Sequence, residues 1–317
     1  MSLSQSPNPD SNIATASFWT PAYPRIQLWR TVVGFIVIHA VFFAATFVIF
    51  IIGAKLLHTD PAAILDASTP AKAAIFFLTF LGYHLGLWIT VKTLHKRGFR
   101  SLFGPALRVN WRHFRRGLLV AIGISIAAII LQFVQPLFLP AGDDIPAQQS
   151  MSLASWALLI VPALALVLLQ IFAEELVFRG YVLQQLRARF RSIWIWAILP
   201  SLAFGVLHFD PATYGLNAVF YVTHTTVIGI LLAIVTVRTG NIGAAAGLHF
   251  GNNAMLVFSG TKGSLDGFSL FLTEMDLTGA HMTWSILSQT GTVLAAFVLW
   301  WMLTQRNQPI ANAAQAD

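Results

Sequence analysis

Three groups of polar residues stand inside stretches that are otherwise apolar. The first is Glu174-Glu175, followed after three residues by Arg179; the chain has only three glutamates, and these are two of them. The second is His208, four residues after Phe204 in Phe-Gly-Val-Leu-His, and the third is His249, four residues before Asn253 in His-Phe-Gly-Asn-Asn. Charges at membrane depth are costly, so they mark functional sites by default. Residues four apart on a helix share a face, and adjacent residues point about 100° apart. Glu175 can therefore pair with Arg179 along one helix, while Glu174 points elsewhere with no cation beside it. An uncompensated carboxylate in a low-dielectric setting suits general-base work near neutrality. His249 and Asn253 share a face and can aim donors at one point, the arrangement that stabilises an oxyanion.

These groups need a scaffold, and the composition says which kind. Of 317 residues, 56% are hydrophobic and only 10% charged, with a mean hydropathy of +0.71. Soluble domains carry roughly 25% charged residues, so the chain reads as a polytopic membrane protein. Its net charge of +7 does not call for nucleic acid, because membrane proteins collect Lys and Arg in cytoplasmic loops. The chain has no cysteine, which rules out disulfides, thiolate metal sites and a cysteine nucleophile. The first thirty residues are polar and proline-containing and lack the apolar core of a removable signal peptide.

A span of about 20 apolar residues crosses the hydrocarbon core. Eight candidates follow: Thr31–Ala54, Ala73–Val91, Gly117–Leu139, Ser155–Phe178, Ile193–His208, Leu216–Val237, Ile242–Phe258 and Trp284–Thr304. The fifth and seventh are short, and Ser288, Gln289 and Thr290 dilute the eighth. The loops test the count. The second carries Lys92, Lys96, Arg97, Arg100, Arg108, Arg112, Arg115 and Arg116 with no acid, whereas the third carries Asp143 and Asp144 with no base. The basic excess alternates at every step. The expectation is an all-α fold of eight transmembrane helices with both termini cytoplasmic. Residues 1–30 and 305–317 are expected as cytoplasmic tails around a transmembrane domain of residues 31–304. Phe99–Arg116, where aromatic and basic residues interleave, fits either a helix lying on an anionic leaflet or plain topology-setting charge.

Depth decides whether the three groups can meet. If the fourth helix runs on through Arg187, Glu174 lies about 20 Å along it from the interface; His208 and His249 lie about 24 Å and about 16 Å from theirs, at ~1.5 Å per residue. All three then sit at mid-membrane. Gly243 and Gly247 form a small-residue face that would bring the seventh span tight against a neighbour, and Pro200 is expected to kink the fifth. His39, His84 and His224 are expected as packing residues, and His58, His95, His113 and His281 as loop residues. The buried polar groups are confined to spans four, five and seven, without the two-fold internal symmetry of a solute transporter.

In this order and on these spans, Glu174-Glu175-x-x-x-Arg179, Phe204-x-x-x-His208 and His249-x-x-x-Asn253 resemble the motifs of the CAAX protease and bacteriocin-processing (CPBP/Abi) family of intramembrane proteases, type II CAAX endopeptidases among them. The resemblance covers a protease core of residues 155–259. It implies that Glu174 activates water with help from His208, that His249 and Asn253 stabilise the oxyanion, and that Glu175 and Arg179 support the site. A metal-free glutamate mechanism is expected, without a cofactor. Zinc is the alternative, with Glu174, His208 and His249 as ligands, although no His-Glu-x-x-His motif is present. The implied activity is an intramembrane endopeptidase acting on CAAX-type or leader-peptide substrates. The alternative is a non-proteolytic scaffold or bacteriocin-immunity protein of the same fold. The expected partners are a membrane-associated peptide or protein substrate and the lipid bilayer, with no nucleic acid. The expected location is the inner (cytoplasmic) membrane of a bacterium.

Overall fold

A computed structural model describes residues 17–138, 145–263 and 265–306. Most of the two tails, and Asp143 and Asp144, lie outside the described residues. Eight helices follow one another at the positions of the eight apolar segments: α1 Leu28–Leu57, α2 Pro70–Thr93, α3 Trp111–Val134, α4 Leu153–Arg189, α5 Trp194–Val206, α6 Asn217–Thr239, α7 Gly243–Ala254 and α8 Ala280–Arg306. Among the described residues, six are long and apolar enough to cross a membrane. The other two are α5 and α7. At ~1.5 Å per residue they reach only about 20 Å and about 18 Å, short of a ~30 Å hydrocarbon core.

The short helix α7 is held by close backbone approach. A Cβ on Gly247 would lie 2.0 Å from the Phe114 carbonyl oxygen, and one on Gly117 would lie 2.3 Å from that of Ala244. The small-residue face therefore meets α3. Asn241 latches the two helix starts together. Its Oδ1 accepts from the backbone N–H groups of Gly243 (2.8 Å) and Asn110 (2.9 Å), while its Nδ2 donates to Arg108 O (3.0 Å). Asn110 in turn caps α3, accepting from Arg112 N and His113 N at 3.1 Å each, as an Asn N-cap does. That cap starts α3 six residues earlier than the apolar run, and it takes His113 out of the loop class.

The arginine-rich segment before α3 does not lie flat as a surface helix. Phe99–Phe103 forms a single 3₁₀ stretch with Ser101 and Leu102 buried. The Leu102 carbonyl sits 3.0 Å from where a Gly180 Cβ would be, so the segment is tucked against α4. Beside it, His95 lies in a loop as expected, yet it is only 3% exposed. Its Nε2 lies 2.9 Å from Tyr181 Oη, and its Nδ1 lies 3.2 Å from Gln185 Nε2 and 3.3 Å from Arg25 O, so both ring nitrogens have partners. Burial first, and Arg97 next, hold the imidazole down at about 4. Arg97 donates to Gln184 Oε1 (2.6 Å). Residues ahead of α1 join this packing: Phe18 and Ala22 are buried, and Arg187 stacks 4.3 Å over the Trp19 ring.

Helix α4 continues past Glu175 to Arg189, as the depth argument requires. It does so through a π-helical stretch, Leu176–Leu183, in which every residue is buried; such stretches cluster at functional sites. A second π stretch, Trp194–Ile198, directly precedes Pro200 in α5, where the proline has no N–H to give the helix. The all-helical expectation needs one correction. Strands β1 Ile145–Gln149, β2 Ser259–Thr261 and β3 Phe271–Glu274 form a sheet in the order β1-β3-β2, with β1 antiparallel and β2 parallel to β3. The sheet ties the entry of α4 to the exit of α7. The Trp156 indole adds to that tie by donating to Val257 O (2.8 Å).

Candidate active site

Glu174 and Glu175 end the regular part of α4 and diverge as helical geometry demands. Glu175 is fully buried and Arg179 is 2% exposed. Arg179 Nη1 donates to Glu175 Oε1 at 2.8 Å. Its Nη2 reaches across to Gly229 O on α6 (3.3 Å), and its guanidinium lies 5.3 Å from the centroid of the Phe204 ring on α5. One ion pair thus pins three helices. A pair buried this deeply stabilises only if its remaining donors are also satisfied, and the Gly229 carbonyl takes one of them.

The Glu175–Arg179 pair is not the whole arrangement. His249 Nδ1 lies 2.8 Å from the same Glu175 oxygen. A carboxylate only accepts, so Nδ1 carries the hydrogen and Nε2 points away from Glu175. Nε2 faces Glu174, 3.6 Å from its Oε2. Glu174 is therefore not isolated, contrary to the sequence expectation: an imidazole faces one oxygen, and Gln170 Nε2 donates to the other at 3.1 Å. Gln170 lies four residues before Glu174 on the same face of α4. The spacing rule that pairs Glu175 with Arg179 would have found it.

His208 lies in the turn two residues past the end of α5, and its Nδ1–H donates to Phe204 O at 2.9 Å. A carbonyl also only accepts, so His208 Nε2 is left as a free acceptor. The Phe204 ring packs edge-on against both imidazoles, with centroids 4.9 Å from His208 and 6.1 Å from His249. Glu174, His208, His249 and Asn253 all line one cavity of about 870 Å³, with Gln170 and Phe204. Glu175 and Arg179 stand behind its wall. Asn253 Nδ2 donates to Gln170 Oε1 at 3.5 Å. The structure thus brings the four expected side chains to one space and sets the ion pair behind them.

The cavity also draws on helices beyond those that carry the three motifs. Tyr221 and His224 of α6, and Gln289 of α8, line it. Tyr221 stands edge-on to His208 with centroids 6.0 Å apart, and His224 Nδ1 lies 2.7 Å from Thr290 Oγ1. Polar groups are therefore not confined to the fourth, fifth and seventh helices. The signal available was the Ser288-Gln289-Thr290 interruption of the last apolar run. Among the described residues, no group of three or more His, Asp or Glu side chains is arranged to hold a metal ion, and this includes Glu174, His208 and His249.

Fold and site together define a class: a helical, multi-pass membrane protein in which one of two adjacent carboxylates and two imidazoles face a cavity among its helices. Residues 155–255 match the family model for type II CAAX prenyl endopeptidase Rce1-like proteins. That stretch contains all seven motif residues, in agreement with the resemblance that the motifs carry. The chain is also 27% identical over 260 residues to an uncharacterized protein, YyaK, of Bacillus subtilis strain 168, covering 79% of this chain and 84% of that protein.

Proposed function

We propose that the protein is an intramembrane endopeptidase that hydrolyses membrane-presented peptides with a glutamate-activated water. The observation that carries this reading is the shared cavity: Glu174, His208, His249 and Asn253 face one space, and Glu175 holds His249 from behind. A water between Glu174 and His208 Nε2 would give its proton to the carboxylate as its oxygen attacks the peptide carbonyl. The tetrahedral oxyanion would accept hydrogen bonds from the second N–H of the Asn253 amide and, once the ring carries a second proton balanced by Glu175 at Nδ1, from His249 Nε2–H. Preorganised donors aimed at a developing charge are among the strongest sources of rate enhancement in enzymes. Glu174 would then pass its proton to the leaving amine, and both products carry the atoms of one water.

The chain passes the membrane eight times in this reading. Both termini and the arginine-rich loops face the cytoplasm, and α5 and α7 are short spans enclosed by longer helices. The substrate is a CAAX-type or leader-type peptide presented at the cytoplasmic membrane of a bacterium. In this reading no resident metal takes part: Glu174, His208 and His249 are not grouped to hold one, and Glu174 serves as the base. A scaffold or immunity protein of the same fold, without proteolysis, is the competing outcome.

The test uses the full chain in proteoliposomes with a quenched peptide library that includes prenylated C-terminal peptides. Wild type should cleave at least one member, Glu174→Ala none, and a chelator should leave the rate unchanged. No cleavage by folded wild type would favour the scaffold. Loss of rate with chelator, restored by zinc, would overturn the metal-free site.

A further inference from the structure

Four side-chain amides form an unbroken chain that ends on Glu174. Gln289 Nε2 on α8 donates to Asn252 Oδ1 at 3.2 Å. Asn252 Nδ2 donates to Asn253 Oδ1 at 3.1 Å, Asn253 Nδ2 to Gln170 Oε1 at 3.5 Å, and Gln170 Nε2 to Glu174 Oε1 at 3.1 Å. All five side chains line the cavity. The direction of the chain is not arbitrary. An ionised carboxylate can only accept, so Gln170 must present its NH₂ to Glu174 and its oxygen to Asn253. The same choice then passes to Asn253, Asn252 and Gln289 in turn. Aligned hydrogen bonds of this kind polarise one another.

We propose that this amide chain is a positioning device: it orients Glu174, favours its ionised form, and couples it to helix α8, which lies outside the residues matched by the family model. Gln170 is the positioning residue in contact with the carboxylate. Gln289, three links away, acts only through the others. The proposal rests on the proteolytic reading for its kinetic test, but its structural content does not. The chain also leaves the second N–H of the Asn253 amide free, so holding Gln170 and facing an oxyanion are compatible. Other groups face Glu174 as well. His249 of α7 stands 3.6 Å away, Tyr83 of α2 and Tyr221 of α6 lie within electrostatic reach, and His208 shares the cavity. Gln289 reaches Glu174 by hydrogen bonds through Asn252, so a change at Gln289 reads the amide chain.

The experiment compares wild type, Gln170→Met, Gln289→Met, Asn252→Ala and the double variant Gln170→Met/Gln289→Met; Met approximates Gln in size while removing both amide groups. One readout is the acidic limb of the pH–rate profile with the best library peptide. The other is the carboxylate infrared band that disappears in Glu174→Gln, titrated without substrate. Loss of a donor to the ionised form lets Glu174 hold its proton to higher pH. Gln170→Met should move both readouts up by about one pH unit, a tenfold change, with KM nearly unchanged. Gln289→Met and Asn252→Ala should move them the same way by less, and the double variant should match Gln170→Met alone, because the links are in series. Two results would overturn the proposal: an unmoved infrared titration in folded Gln170→Met, or a Gln289→Met shift that persists in the Gln170→Met background. If the infrared titration shifts as expected while no peptide is cleaved, the amide chain stands and proteolysis fails.

Discussion

Glu175 has two partners where helical spacing offered one. The i, i+4 rule finds Arg179, and the 2.8 Å ion pair is as expected. His249 comes from 74 residues further along the chain and lies at the same distance from the same oxygen; no local rule reaches it. The consequence is testable. Glu175→Gln leaves Arg179 buried without its counter-charge, which should cost about 3 kcal/mol or more of stability. It also weakens the group that fixes which nitrogen of His249 carries the hydrogen, so kcat should fall by about 10² in the protein that remains folded. Thermal melts in detergent and single-turnover kinetics read the two effects separately. A full rate at reduced stability would limit Glu175 to the ion pair. Glu174 shows the opposite error. Its divergence from Glu175 was legible in the sequence, but its apparent isolation was not real, because His249 and the overlooked Gln170 both face it.

At the scale of elements, long apolar runs located the eight helices, with ends within six residues except that α4 runs eleven residues past Phe178 to Arg189. The ends depend on local chemistry instead. The Asn110 cap moved the start of α3 back to Trp111, and the π stretch let α4 run through Gly180. The small sheet was not legible. β2 and β3 have three and four residues, too few to show an alternating pattern. The Gly243/Gly247 face was legible and its partner was not: it packs on α3, with no room at Gly247 for a methyl group. Gly247→Ala should push α7 from α3 and cost at least ~2 kcal/mol, within the usual range for overpacking. It should also lower activity, because His249 rides on α7. A variant with wild-type melting temperature and rate would show that the two helices are not in rigid contact.

Across the whole molecule, the residues ahead of α1 and the arginine-rich segment before α3 close around one end of α4, which their polarity did not suggest. Burial of Phe18, Leu102 and His95 makes them part of the packed body. Their charge pattern alone reads as water-facing loop. The neutral state of His95 links this packing to pH. Its folded-state value of about 4 lies below the ordinary 6.5, so the folded protein binds fewer protons than the unfolded chain between those values. Stability should therefore fall as pH drops from about 6.5 towards 4, by at most about 3 kcal/mol from this group. His95→Gln, which keeps a donor and an acceptor, should lose less melting temperature than wild type between pH 7.5 and 5. Identical losses would show that His95 is not the group responsible.

The central claim is that Glu174 is the base that activates water. Its most direct test is kcat for wild type and Glu174→Gln on one cleaved peptide, in preparations matched for melting temperature. Gln keeps the size and the hydrogen-bonding reach of Glu174 and removes the capacity to take a proton, so kcat should fall by about 10³ or more. A Glu174→Gln enzyme within tenfold of wild type would contradict the account.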